Sequence, residues 1–218
     1  MFIGHFGVAF GAKAVSPKVS LGSLFLAAQF IDLLWPTFLL LGIERVRIDP
    51  GITAVTPLDF VHYPISHSLL MVLVWAGLFA LVYQLLRKYR RGAVVLALAV
   101  LSHWLLDLIV HRPDLPLYPG SARLVGLSLW SSLGATLAVE LSIFAVTAWL
   151  YIRATEASDE LGRWGLWVLA GFLIAIYLSN LFGAPPPSVI AIAWLGQAQW
   201  LLVGCGYWID RHRRSVAR

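Results

Sequence analysis

The chain has 218 residues, of which 60% are hydrophobic and only 12% charged, with a mean hydropathy of +0.81 and a formal net charge of +5. A soluble domain carries about 25% charged residues, so this composition excludes a soluble enzyme, a disordered chain and a free nucleic-acid-binding domain. Cys205 is the single cysteine, which excludes an intramolecular disulfide and a cysteine-based zinc site.

In chain order, the apolar stretch Phe2–Val15 comes first. A helix over its fourteen residues reaches about 21 Å, short of a hydrocarbon core of about 30 Å. It lacks a basic leader and His5 interrupts it, so it reads as a short helix that dips into the membrane or lies against the bundle, not as a cleaved signal peptide. Six runs long enough to span follow: Leu21–Ile43, His67–Leu86, Gly92–Val110, Leu129–Ile152, Gly165–Phe182 and Val189–Ile209. Pro36 is expected to kink the first run and to free the carbonyl of Asp32. Pro185–Pro187 reads as a tight connector, and no internal repeat is visible. The predicted fold is all-α: a polytopic membrane helical bundle, one domain over residues 1–218, with six long transmembrane helices and a short N-terminal helix.

Basic residues set the direction. With the loop Arg87, Lys88, Arg90, Arg91 and the tail Arg211, Arg213, Arg214, Arg218 in the cytoplasm, alternation puts Lys13, Lys18, Arg153 and Arg163 there too. Only Arg45, Arg47, Arg112 and Arg123 fall outside, on the two longest connections. The expected location is the inner (cytoplasmic) membrane with a cytoplasmic C-terminus. Trp35, Tyr63, Trp130, Tyr151, Trp164 and Trp208 fall near span ends or kinks, as interfacial aromatics do, and Gln197 and Gln199 suit helix–helix hydrogen bonds.

An ionisable side chain within a span costs at least a few kcal/mol, so each asks for a partner or a role. Counted from the cytoplasmic ends, Asp32, His103 and Glu140 lie about twelve residues in, roughly 18 Å deep and just past the midplane. Asp107 and His67 lie roughly 6–10 Å further out. His103, Asp107 and His111 share one helix face at i, i+4 and i+8, and a His-x-x-x-Asp pair can offer nitrogen and oxygen to one metal ion. His62 lies just before the second span, where Pro64 disfavours regular helix, with Ser66 or Ser68 as helix cap. Blander readings apply to single residues: a hydrogen-bonded structural Glu140, an interfacial His5, a salt-bridged loop His111-Arg112-Pro113-Asp114, and a tail that only anchors, with no role for His212.

The residues Gly4-His5, Ile31-Asp32-Leu33-Leu34-Trp35-Pro36, His62-Tyr63-Pro64-Ile65-Ser66-His67-Ser68 and Ser102-His103-Trp104-Leu105-Leu106-Asp107 resemble, in order and spacing, the motifs of the YdjM-like bacterial inner-membrane proteins regarded as metal-dependent hydrolases. The resemblance covers about residues 1–120. The chain departs from the family around Asp32, where a second Asp and a His are usual and this chain has Phe30 and Leu33, and at Tyr63-Pro64 in place of Arg-Gly. One metal position can therefore be missing, with Glu140 or His111 as substitutes. The His-x-x-x-Asp helix is also similar, in ligand type only, to the zinc element of zinc-dependent phospholipases C and single-strand nucleases.

The leading expectation is a membrane-embedded metal-dependent hydrolase with an outward-opening site. Asp32, His67, His103 and Asp107 would hold one or two divalent ions, zinc being the best match to the donors. His5 and His62 are supplementary ligands or supports, and Glu140 or Asp114 is the expected general base. Arg112 or Arg123 would bind an anionic headgroup, so the expected partners are membrane lipids, with a lipid phosphoester as first substrate and no nucleic acid. Acid–histidine clusters also mark ion pathways in transporters and channels. Here every candidate lies in the outer half, which favours an enzyme. A non-catalytic interhelical polar network is the third class, and metal analysis separates it from the other two.

Overall fold

The computed structural model describes residues 1–216; Ala217 and Arg218, the latter counted above with the basic tail, lie outside the described residues. The chain is an all-α helical bundle with small two-stranded antiparallel sheets. It opens with α1 (Ile3–Val15), α2 (Leu21–Ala28) and α3 (Phe30–Leu40), followed by β1 (Arg45–Ile48) and β2 (Leu58–His62). Then come α4 (Pro64–His67), α5 (Leu69–Arg87), α6 (Arg90–Val110) and the hairpin β3 (Leu115–Pro116) and β4 (Leu124–Val125). After a 3-10 turn (Leu129–Ser131) the chain continues as α7 (Leu133–Ala154), β5 (Thr155–Ala157) and α8 (Glu160–Phe182). It closes with α9 (Val189–Gln197), α10 (Gln199–Arg211) and β6 (Arg213–Ser215).

Five segments are long and apolar enough to cross a membrane, namely α5, α6, α7, α8 and the α9–α10 pair, and the α2–α3 pair makes a sixth. This is the pattern of a multi-pass membrane protein. The sixth is not one long helix, as its hydropathy predicts, but two helices bent by 55°. Nor does the bend fall at Pro36. It falls at Gln29, while α3 runs on through Pro36. The carbonyl that Pro36 releases, that of Asp32, accepts from Gln199 Nε2 at 3.5 Å, and Gln197 Nε2 donates to Thr37 Oγ1 at 2.8 Å. The ladder broken by the proline is thus completed from α10, as membrane helices require where no water is available.

The N-terminal helix is central, not peripheral. Gly7 and Gly11 face α7 so closely that a Cβ would stand 3.0 Å from Thr147 Oγ1 at Gly7 and 3.1 Å from Thr147 Cγ2 at Gly11. Small residues at this spacing let two helix backbones approach, which drives helix association in lipid. Beside these glycines on α1, Phe6 and Phe10 are completely buried. Their rings meet Phe25, Phe144 and Tyr151 edge-on, with centroids 5.0 to 5.8 Å apart. Around α1 stand α2, α6 and α7, while α5 packs outside α6, α10 on α2 and α9 on α3.

At the bundle end where α1 finishes, the buried Lys13 ammonium bonds Asp210 at 2.7 Å and the Val19 carbonyl at 2.9 Å. There β6 pairs antiparallel with β5 and straps the tail to the α7–α8 connection. Arg213 donates to Thr155 Oγ1 at 3.0 Å and to the Gly162 carbonyl at 2.7 Å. His212, given no role from the sequence, lies 2.7 Å from Asp159, whose carboxylate caps α8 by accepting from Gly162 N at 2.8 Å.

Candidate metal centre

At the opposite end of α1, four elements bring histidines and carboxylates into one buried cluster. His5 comes from the first turn of α1, Asp32 from α3, His67 from α4, and His103 and Asp107 from one face of α6. Pro64 does not prevent helix as predicted. It takes the first position of α4, where its missing N–H is not needed. Ser68 then caps α5, accepting from Met71 N at 3.4 Å.

Asp32 Oδ1 stands 3.5 Å from both His67 Nε2 and His103 Nε2. Asp107 Oδ2 stands 3.2 Å from His103 Nε2 and 3.8 Å from His67 Nε2. For bonds of about 2.0–2.1 Å, a tetrahedral ion needs ligand–ligand edges of about 3.3–3.4 Å. The four distances bracket that value. Two overlapping triads, His5–His103–Asp107 and Asp32–His67–His103, each keep their ligand atoms within 4.8 Å of one another. His5 stacks on His103 with centroids 3.7 Å apart, and its Nε2 lies 3.2 Å from Asp107 Oδ1. That same oxygen takes the Met1 backbone nitrogen at 2.6 Å.

His103 and His67 are each aimed by the other ring nitrogen, whereas His5 Nδ1 is buried without a partner. His103 Nδ1 donates to the Ala28 carbonyl at 2.8 Å, one of the last carbonyls of α2, which a helix end leaves without an intrahelical partner. The bend at Gln29 is therefore what orients His103. Its Nε2 is buried, finds no hydrogen-bond partner and faces two carboxylate oxygens. Donor atoms that converge in this way could hold a metal ion between them.

For His67 the orienting group is Glu44, a residue that no sequence motif includes. Glu44 is 1% exposed. Its Oε1 accepts from Ile65 N and Ser66 N, both at 2.8 Å, and its Oε2 accepts from Ser66 Oγ at 2.5 Å. Because the Ser66 proton goes to the carboxylate, Ser66 Oγ accepts from His67 Nδ1 at 2.7 Å, and His67 Nε2 is left as a lone pair facing the cluster. Nothing in the sequence marks Glu44, an acidic residue just past a span.

A second network covers the first. Asp114 Oδ1 accepts from Tyr63 Oη and His111 Nδ1, both at 2.9 Å, while Asp114 Oδ2 takes Arg112 Nε at 3.2 Å. Arg112 also binds Asp59. Burial and the adjacent Asp114 hold the Tyr63 phenol well above its usual range, so it remains a donor. Phe60, Tyr63 and Trp130 pack around the His111 ring, and Tyr63 covers His67 with centroids 5.1 Å apart.

Several expected residues stand apart from the cluster. His62 is exposed on β2, paired with Arg45, so it does not fold over the site. Asp114 has both oxygens committed, and the His111 beside it belongs to neither triad. Glu140 is buried but also lies outside both triads. Its Oε2 faces the N-terminus of α1 and accepts from Gly4 N at 3.4 Å, a helix-capping arrangement. Arg112 is tied to Asp59 and Asp114, whereas Arg123 is exposed. No family model matches the chain, and neither a curated protein nor a solved structure shows significant similarity to it.

Proposed function

We propose that the chain is a membrane-embedded, metal-dependent hydrolase in which Asp32, His67, His103 and Asp107 hold a divalent ion, zinc by the donor set, with His5 as a further ligand or support. The observation that carries this reading is that four donor atoms, three of them from buried residues, stand 3.2–3.8 Å apart along the four edges that join a carboxylate to an imidazole, and that the two imidazole nitrogens have partners which leave the lone pair inward. A bound zinc supplies Lewis acidity and a water acidified towards neutral pH. Asp32 is the member reached from outside, its side chain 24% exposed against 0–3% for the other three, so substrate enters past it. Its Oδ2, which takes no part in the ion pairs, accepts the proton; Glu140 and Asp114 are occupied elsewhere.

We infer further that the cluster faces the external side of the inner membrane, with the strapped tail and Arg87–Arg91 cytoplasmic, since basic residues accumulate at that end. The motif likeness to YdjM-like proteins agrees with a hydrolase, and the intramembrane depth of the site with a lipid phosphoester as substrate. Between the cluster and the basic end, Phe6, Phe10 and Phe25 are wholly buried and pack edge-on, an apolar plug that speaks for a one-sided enzyme over a transporter. Elemental analysis tests the reading: wild-type protein carries about one zinc per chain and His103→Ala carries none, the usual result of losing one of four ligands. Wild-type protein that neither retains zinc nor takes it up on reloading would end the proposal. Hydrolysis of a phosphoester lipid by the wild type, lost in the same variant, then decides for the enzyme.

A further inference from the structure

The bundle surface away from the cluster carries a trough whose lining changes character along its length. Its apolar part, a cavity of about 400 Å³, lies between α2–α3, α5 and α10 and is lined by Leu26, Phe30, Trp75, Phe79 and Val82 among others. Towards the end of α5 it meets a second cavity of about 430 Å³ lined by Lys18, Ser20, Ser23, Tyr83, Arg87 and Tyr89. Ser23, Tyr83 and Arg87 line both, so the two are continuous. No carboxylate lines either part, and neither Lys18 nor Arg87 has an acidic partner among the described residues.

Local structure builds this gradient. Gly22 lies beneath the Tyr207 ring, where a Cβ would come within 2.2 Å of it, so the ring lies flat on α2. The Tyr207 hydroxyl then reaches Ser23 Oγ at 3.0 Å, at the junction of the two cavities. Lys88 adopts a left-handed conformation, φ 50°, which ends α5 and leaves Arg87 in its last turn at the rim. The Lys18 ammonium is held 5.9 Å above the Tyr89 ring.

We propose that this trough is a binding site for one anionic phospholipid, with its phosphate between Lys18 and Arg87, its glycerol esters at the Ser23, Tyr83 and Tyr207 hydroxyls, and an acyl chain along Leu26, Phe30 and Phe79. The trough lies on the lipid-facing surface of a membrane bundle, so acyl chains are its default filling. Two unpaired cations with phenol and serine hydroxyls at the rim select a phosphate there, as basic pockets between membrane helices do. The site is separate from the metal cluster: α5 begins beside His67 and ends at Arg87, about 30 Å away along the helix axis. It is therefore not the substrate site, and it stands whether or not the cluster is catalytic.

Native mass spectrometry of the purified full chain, titrated with dioleoylphosphatidylglycerol, dioleoylphosphatidylcholine and inorganic phosphate, tests the proposal. One phosphatidylglycerol per chain is expected to bind in preference to phosphatidylcholine, with no displacement by phosphate. The Lys18→Gln/Arg87→Gln pair should weaken phosphatidylglycerol about 30-fold, some fivefold per basic group, and abolish the preference. Leu26→Trp, which fills the apolar part, should weaken both lipids, while His103→Ala should change neither. Equal binding of the two lipids, or a preference that survives the double substitution, would reduce the trough to ordinary annular lipid and overturn the proposal. So would displacement by phosphate alone, or a stable lipid-free dimer that loses its interface on Leu26→Trp. Both charged positions are exposed, and unchanged thermal unfolding of the double variant confirms that it folds.

Discussion

Replacing Glu44 by glutamine tests the reading of the cluster without touching a proposed ligand. In the native protein, hydrogen bonds run one way: His67 Nδ1 donates to Ser66 Oγ at 2.7 Å, and Ser66 donates to Glu44 Oε2 at 2.5 Å. The carbonyl of the substituted amide can keep the two backbone donors, Ile65 N and Ser66 N, that now reach Oε1 at 2.8 Å. Its amide nitrogen, however, donates where Oε2 accepted. Ser66 must then turn its proton to His67 Nδ1, and the imidazole proton moves to Nε2, which now presents N–H to the cluster where it presented a lone pair. Loss of such an orienting partner weakens metal affinity by about 10–100-fold, or about 1.4–2.7 kcal/mol. Ser66→Ala removes the relay without reversing it and should fall between Glu44→Gln and wild type. The assay is competition for zinc against a chelator of known affinity, with thermal unfolding of the metal-free proteins as control. Wild-type zinc affinity in Glu44→Gln, with unchanged metal-free stability, would refute the tautomer argument.

Glu140→Gln should leave zinc content intact and lower stability by about 0.5–1 kcal/mol, because it removes a charge from the N-terminus of α1; loss of zinc would return Glu140 to the ligand set. Gly7→Leu should destabilise by about 1–3 kcal/mol, read by thermal unfolding, since there is no room between α1 and Thr147 for the added atoms. Asp159 is held below its usual carboxyl range by the hydrogen bond from His212 and by Gly162 N. Its contribution to the tail strap is therefore present above the ordinary carboxyl pKa of about 3.9 and lost as pH falls through the lowered value. Protection of the amides of residues 213–215, taken as exchange relative to the intrinsic rate at each pH, should hold at pH 5 and fall on further acidification, and Asp159→Asn should remove that dependence. For orientation, single cysteines at positions 88 and 123 in a Cys205→Ser background should be labelled from the cytoplasmic and external sides respectively; the reverse would invert the site.

Much of the candidate site was legible because the quantities concerned are local to a helix. The bilayer demands long apolar runs, so the spans follow from hydropathy, and a fixed rise per residue puts Asp32, His103, Asp107 and His67 in one layer. The cost of an ionisable group in that layer is what singles those residues out. Depth, however, does not say which way a helix is rotated or what it touches. Glu140 matches Asp32 and His103 in depth, yet it faces the N-terminus of α1 and lies outside the donor triads. His62 fits a motif spacing, yet the β1–β2 pairing holds it exposed. Glu44 belongs to no motif and acts on His67 only because the connection after α3 folds back against the first turn of α4. The bend at Gln29 and the central place of α1 were likewise decided by packing: Gly7 and Gly11 matter only against Thr147, and the carbonyl of Ala28 only against His103. Sequence by itself determined how deep each polar group lies, because depth depends on one helix at a time. Tertiary structure decided which of them meet, because rotation and neighbourhood depend on every helix at once.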